Sequence, residues 1–347
     1  MKSDPAEKLK NWFERNKRTF PWRVSISPYR VWISEVMLQQ TLAGVVVPYF
    51  ENWMARFPTI KDLAEAPIEP VIKTWEGLGY YSRARNLHSG AKMIVDRYGG
   101  KIPDSKEELL KIKGIGDYTA AAILSFAFQQ KEAAVDGNVK RVISRLYAME
   151  EDIAKPKTHA LIKNRVMDLL PGDKPWKAME ALIELGATVC KKKPACLECP
   201  LQNHCRAFEL GMERRLPVKT AAIRYQTLHR TVIVLRKEGC ILVKKVQEGS
   251  VMQDLHEFPY IETAENGLSP SGAARHIEKQ WNLTPRFIEK LPKVKHTFTR
   301  FRAELTPVVY ETSGTFDGGD YFWVRLDKAC RLPFSSGHKR ILKLLAD

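Results

Sequence analysis

The sequence predicts two domains: an all-α region over residues 1–215 and an α+β domain over 228–347, joined by a linker at 216–227. Three observations predict it. Through the first region apolar residues recur at helical spacing, with no strand-like alternation of any length. Beyond the linker, β-branched and aromatic runs appear: "HRTVIVLRK", "CILVKKV", "RAELTPVVYET" and "GDYFWVRL". Near the end of the helical region, four cysteines fall within the sixteen residues Cys190–Cys205. A chain of 347 residues is long enough to give each domain a buried core.

In chain order, "MKSDPAEKLKNWFERN" alternates charge with Leu9, Trp12 and Phe13, which predicts an amphipathic helix rather than a secretory leader. Helical periodicity follows at 31–47, 59–75, 84–98, 106–112, 117–130, 138–147, 158–170 and 176–190. Glycine and proline punctuate it at 98–104, 113–116 and 136–138. The linker is basic, contains a proline and has no clear period. Between the later strands, "SGAARHIEKQWN" at 271–282 has the pattern of a helix. The isolated Cys240 and Cys330 are expected to be buried thiols, and His88, His204, His256 and His296 surface or packing residues.

Hydrophobic residues make up 44% of the chain and charged residues 28%, a globular balance rather than a disordered one. No apolar run is long enough to span a bilayer. The formal net charge is +16, which points to a polyanionic partner, nucleic acid before an acidic membrane. The expected setting is intracellular: cytoplasmic, associated with a bacterial nucleoid. Structural disulfides are not expected there, so the cysteine group is expected to hold a metal or a cluster.

The spacing is C-x5-C-x2-C-x5-C, at Cys190, Cys196, Cys199 and Cys205. Thiolates suit zinc or iron–sulfur. One C-x-x-C with a single outlying cysteine on each side suits the corners of a 4Fe–4S cluster better than two separate zinc-ribbon pairs, though zinc stays open on spacing alone. A loop pinned at both ends in this way would hold Lys191, Lys192 and Lys193 as a fixed cationic surface for a phosphate backbone.

"LLKIKGIGDYTAAAILSFAF" at 109–128 places Gly114-Ile115-Gly116 between two helical segments. Backbone N–H groups at such a turn can approach a phosphate oxygen, Ile115 would anchor the turn in the core, and Asp117 is the expected N-cap. In a chain of +16 this predicts a helix-hairpin-helix DNA clamp. "WISEVMLQQT" at 32–41 sets Glu35 on an apolar helix face with Val31 and Leu38, where a carboxyl keeps its proton near neutral pH. Asp136 precedes Gly137 and a helix, the place of an N-cap. A protonated and an ionised carboxyl together are what cleavage of a glycosidic bond requires.

These segments resemble the adenine DNA glycosylase (MutY) family of helix-hairpin-helix base-excision enzymes. The likeness is carried in order by "PWR" (21–23), "PYRVWISEVMLQQT" (28–41), "WEGLGYYSRARNLH" (75–88), "GIGDYTAAAILS" (114–125), "VDGNVKR" (135–141) and the four cysteines. It is strong over 10–205 and looser over 229–347, which resembles a Nudix-like domain. The resemblance implies a six-helix barrel at about 25–135, a cluster subdomain from 1–24 with 136–215, and a lesion-recognition domain at 228–347. It implies a monomeric enzyme that removes adenine opposite 8-oxoguanine or guanine from double-stranded DNA, with a 4Fe–4S cluster and no membrane. Glu35 matches the family's acid and Asp136 the carboxylate that steadies the sugar cation, with Asn138 and Tyr118 orienting them. Trp22, Arg23, Leu38 and Glu180 match positions around the flipped base. Gln40 and Tyr80 match residues that wedge into the duplex, and Gly114, Gly116 and Thr119 belong to the DNA-binding hairpin.

Relatives that also cleave the strand carry a lysine where this chain has Tyr118, so a monofunctional enzyme is expected. An endonuclease III-like glycosylase and lyase is the alternative, and a non-catalytic DNA-binding protein with structural zinc a further one. The chain departs from the family pattern in three places. The first cysteine gap is five residues rather than six. Phe298, Thr299 and Arg300 stand where the family reads 8-oxoguanine with Phe-Ser-His. "SVMQDLHEFPY" keeps the end of a family turn without its glycines. No acidic Nudix box is present, so the second domain is expected to recognise rather than hydrolyse.

Overall fold

The computed structural model describes residues 4–220, 225–316 and 318–345. They form two compact units, Met1–Glu65 with Ser89–Ala222, and Ala66–His88 with Ile223–Asp347. The expected linker includes residues 221–224, which lie outside the described ones, and its last two positions already belong to a strand.

In the first unit α1 (Pro5–Asn16) starts where Asp4 Oδ1 accepts the Ala6 N–H at 3.0 Å and Pro5 supplies the first helical position. It buries Leu9 and Phe13. Then come α2 (Pro21–Val24), α3 (Pro28–Leu38), α4 (Ala43–Arg56) and α5 (Ile60–Glu65). After α6 (Ile68–Thr74), which belongs to the second unit, come α7 (Ser82–Tyr98), whose residues as far as His88 are also counted with the second unit, α8 (Lys106–Lys111) and α9 (Asp117–Ala122). α10 (Gly137–Leu146), α11 (Pro156–Leu169), α12 (Pro175–Thr188) and the short α13 (Arg206–Glu209) complete the unit. Trp32, Trp53, Phe50, Leu9, Ile33, Met37 and Leu63 are its largest fully buried side chains among the described residues.

Three expected helices are interrupted. The 31–47 stretch is two helices, because Gln40 takes a left-handed conformation (φ 59°) that no α-helix continues through. Both helices bury apolar residues, so the spacing runs across the break. The 59–75 stretch breaks at Pro67, whose ring disfavours a helical Ala66. The helix expected over 117–130 passes from α9 into a π-helical turn at Ile123–Ala127. Asp117 is not the N-cap. Gly116 holds that place without a side-chain bond, and Asp117 pairs instead with Lys163 at 3.1 Å and Lys106 at 3.3 Å.

In the second unit one mixed sheet holds all eight strands of the described residues. β1 (Gln226–Lys237) lies between β2 (Cys240–Lys245) and β7 (Phe301–Glu311), antiparallel to the first and parallel to the second, with Val234 opposite Val309. β3 (His256–Glu257) and β8 (Tyr321–Arg325) pair with β2, β4 (Tyr260–Thr263) with β1, and β5 (Arg286–Lys290) and β6 (Val294–Phe298) with β7. The period-2 alternation of β1 feeds two cores. Ile233 and Leu235 pack with Ala273, Ile277 and Trp281 of α14 (Pro270–Trp281). Val232 and Val234 face the other way, toward Phe334 and Ile341. The helices α15 (Leu326–Ala329) and α16 (Ser336–Leu344) lie near the chain's end, and Ile341 is on α16. Of the cysteines expected to be buried, Cys240 is only half-buried and Cys330 is exposed. His88 and His256 are buried packing residues.

Candidate active site

Helix α3 explains the state of its carboxylic acid. Val31 to Met37 are all buried, so every side chain of that stretch, Glu35 included, is withdrawn from water. Glu35 is 8% exposed. Burial lifts its carboxyl from the ordinary 4.5 to about 7, and the nearby Asp136 and Glu180 charges add to the rise. One bond opposes it: the Tyr118 hydroxyl donates to Oε2 at 2.5 Å. Burial and the facing Glu35 hold the Tyr118 phenol well above its own ordinary value, so it remains a donor.

Asp136 is the N-cap of α10. Its Oδ1 accepts the Val139 N–H at 2.7 Å and its Oδ2 accepts Asn138 Nδ2 at 2.8 Å. Burial pushes this carboxyl up as well and the net shift stays upward, although these donors and the Arg141 charge oppose it. Arg141 also fixes Asn138, donating to its Oδ1 and to the Gly186 carbonyl, both at 2.8 Å. Gly186 is required there: a Cβ would fall 2.6 Å from the Asn138 Cβ, so only glycine lets α12 approach α10 this closely. Burial raises both acids, and they differ in their partners: Glu35 has a single side-chain donor, whereas Asp136 has several donors and a nearby cation.

A second acidic pair lies on α12. Glu180 and Glu184 are four residues apart and share a face. Arg23 reaches both, its Nε 3.6 Å from Glu180 and its Nη2 3.0 Å from Glu184. Arg18 completes the set at 2.5 Å from Glu184. Burial pushes both carboxyls up; for Glu184, 1% exposed at its side chain, the two guanidiniums outweigh burial and the net shift is downward. Arg18, Glu184 and Arg141 were not anticipated. The only signal in the sequence was helical spacing, with Glu184 four residues after Glu180 and Arg141 three after Asn138.

These groups face one cleft of about 1300 Å³. Trp22, Arg23, Glu35, Leu38, Gln40, Tyr118, Asp136, Asn138, Glu180 and Lys191, Lys192 and Lys193 all line it. Trp22 stacks on Phe20 with ring centroids 4.7 Å apart. Gly114 has φ 88° at the turn before α9, and Ile115 is buried beneath it. Thr119 is buried, and its hydroxyl accepts from Gln39 Nε2 at 3.4 Å. Tyr80, Phe298, Thr299 and Arg300 belong to the other unit. Tyr80 sits at an exposed turn and Thr299 at the tip of the β6–β7 hairpin, both with positive φ.

Cys190, Cys196, Cys199 and Cys205 line a single small cavity together with Arg145 and Glu213. Arg145 is buried beside them. Its Nη1 lies 3.3 Å from Cys190 Sγ and donates to the Lys191 carbonyl at 2.6 Å, while its Nε donates to the Leu216 carbonyl at 3.0 Å. Among the described residues no three ligating side chains are drawn together to hold a single metal ion. The donor set, four thiols around one cavity with a guanidinium against them, fits an anionic group bound by thiolates.

Residues 33–168 match the HhH-GPD superfamily base excision DNA repair protein model, and residues 230–344 a NUDIX domain. An adenine DNA glycosylase of Buchnera aphidicola (subsp. Baizongia pistaciae) is 32% identical, over 86% of this chain and 83% of its own. One of Arabidopsis thaliana is 34% identical over 89% of this chain, which spans 58% of that relative's length. The structure of a thermostable thymine-DNA glycosylase superposes with a TM-score of 0.54 at 28% identity, covering 59% of this chain and 95% of that one. The chain belongs to the adenine DNA glycosylase family, within the HhH-GPD superfamily of base excision DNA repair proteins.

Proposed function

We propose that the chain is a monofunctional DNA N-glycosylase that removes adenine paired with 8-oxoguanine or guanine in duplex DNA. The observation that carries this is the pairing of Glu35 and Asp136 on one cleft, the first with one hydrogen-bond donor and the second with several donors and the Arg141 charge. A base inside the helix is out of reach, so adenine leaves the stack and enters the cleft. Trp22, Leu38, Arg23 and Glu180 surround it. Glu35 delivers its proton to N7 of the purine, and the electrons of the breaking bond to the sugar C1′ pass to the base. The sugar left behind is a cation; Asp136, held by Asn138, stabilises it or traps it covalently until water adds and an abasic site remains. Tyr118 offers no amine, so this position forms no Schiff base and leaves the strand whole.

Gln40 and Tyr80 fill the gap in the duplex and offset part of the unstacking cost. Lys191, Lys192, Lys193 and the Gly114–Gly116 turn hold the phosphate backbone, and the net charge of +16 favours it at long range. Phe298, Thr299 and Arg300 read the base opposite, with a hydroxyl and a guanidinium in place of hydroxyl and imidazole. Residues 1–215 make up the glycosylase region and 228–347 the recognition domain. Cys190, Cys196, Cys199 and Cys205 would hold a 4Fe–4S cluster, whose chemistry here is to fix the lysine-bearing loop. The enzyme acts as a monomer on chromosomal DNA. Among the described residues no helix is long and apolar enough to cross a membrane.

The test is a duplex with adenine opposite 8-oxoguanine. Wild-type protein releases adenine and leaves an intact, alkali-labile strand. Glu35→Gln slows release by about 10²–10⁴-fold, the usual worth of a general acid. Equal rates for the two proteins would overturn the assignment.

A further inference from the structure

The second unit joins stretches far apart in sequence, residues 66–88 and 223–347. The first carries the Tyr80 turn and the second the Phe298–Arg300 hairpin tip. Glu76 lies where they meet, its side chain only 4% exposed. Its Oε1 accepts the Phe334 N–H at 2.9 Å, and its Oε2 accepts Lys73 Nζ at 2.8 Å and Lys339 Nζ. Lys73 donates onward to the carbonyls of Cys330 at 2.8 Å and Leu332 at 2.9 Å. Arg85 donates to the Gln253 carbonyl at 2.9 Å, and Lys245 pairs with Glu69 at 2.7 Å. A buried carboxylate with an amide and two ammonium partners is a strong, directional joint.

Contacts run outward from this joint in both directions. Toward Tyr80, Trp75 Nε1 donates to the Gly79 carbonyl at 3.0 Å, and Arg83 Nη2 donates to those of Leu78 at 3.1 Å and Gly79 at 3.2 Å. The Arg83 guanidinium lies 5.6 Å from the Tyr80 ring, which stands 45% exposed at the tip. Toward the hairpin, Lys339 and Arg340 are neighbours on α16, which packs on β6. Arg340 donates to the Lys295 carbonyl, and β6 ends at Phe298, where the tip begins. Hydrogen bonds, the Arg83–Tyr80 ring contact and steps along the chain at Trp75–Glu76 and Lys339–Arg340 thus lead from Tyr80 to Phe298.

We propose that Glu76 is a positioning residue for lesion discrimination: it fixes the Tyr80 turn relative to the Phe298–Arg300 tip, so that the wedge and the reader act as one rigid piece. The proposal rests on the reading of Tyr80 and Phe298–Arg300 given above. Loss of the joint lets the turn move independently of the tip. Glycosidic cleavage, which uses the Glu35 cleft, survives, while the distinction between 8-oxoguanine and guanine weakens.

Two measurements on the full chain test it, with Glu76→Gln and, where that variant folds poorly, the milder Lys339→Met. The first is amide hydrogen exchange without DNA. Exchange over residues 77–83 and over 330–340 should accelerate together, and an unchanged rate in either segment overturns the joint. The second is the ratio of single-turnover adenine release opposite 8-oxoguanine to that opposite guanine. It should fall about tenfold while release opposite guanine stays the same, with the double variant no worse than Glu76→Gln. An unchanged ratio, or equal loss on both duplexes, overturns the positioning role. If wild-type protein released adenine from neither duplex, the functional reading would fall, and the exchange result would still decide the joint.

Discussion

Glu35 owes its proton to the helix that carries it. An apolar stretch buried on every side leaves a carboxylate nothing to solvate it, and the single Tyr118 bond does not make up the loss. This state has a cost that can be measured. With the group raised from 4.5 to about 7 in the folded protein, the folded state keeps a proton that the unfolded chain has released between those values. The stabilisation is full below pH 4.5 and is lost as pH rises to about 7, on the order of 3 kcal/mol in all. Glutamine does not ionise. Thus the unfolding free energy of Glu35→Gln relative to wild type should rise by that amount between pH 4.5 and 8, as followed by denaturant melts. A difference independent of pH would mean that Glu35 is hydrated. At this scale the sequence showed why Glu35 is dry and why Asp136 caps a helix, since both follow from near neighbours. It could not show Glu184, which matters because Arg18 and Arg23 arrive from a segment about 160 residues away.

The loop Cys190–Cys205 contains only two short 3-10 turns, at Cys196–Glu198 and Gln202–His204, and no longer element. Its shape comes from the cysteines and from Arg145, which reaches in from α10 to Lys191, Lys192 and Leu216 carbonyls. Purified protein should be brown with about four irons per chain if the cluster is of the type whose spacing it has. Arg145→Leu removes a buried cation with several acceptors, a loss on the order of 3–5 kcal/mol. It should release much of the iron while far-ultraviolet circular dichroism stays helical. Iron content equal to wild type would assign the loop's order to the thiols alone. The existence of a helix was legible from its spacing, as for Pro5–Asn16. The break at Gln40 was hidden because apolar spacing continues across a turn when both flanking helices bury a face, and the same spacing outweighed Pro67 within 59–75.

For the whole molecule, the division was visible as a change of period from 3.6 to 2 beyond the cysteines, because core-facing strands must alternate. The membership of 66–88 was not. Its helical pattern is ordinary, and what ties it to the strands is a set of ion pairs between residues such as Lys245 and Glu69, 176 positions apart. A net positive charge spread over the chain told of a polyanion but not of where it lies. The proposed chemistry rests on the cleft, where Glu35, raised to about 7, faces the same space as a hydrogen-bonded Asp136. The most direct measurement is the pH dependence of single-turnover adenine release from a duplex saturated with enzyme. The rate should hold level on the acid side of neutrality and fall as pH rises through about 7, approaching tenfold per unit, as Glu35 loses its proton. A rate that stays level or increases through that range would contradict Glu35 as the proton donor.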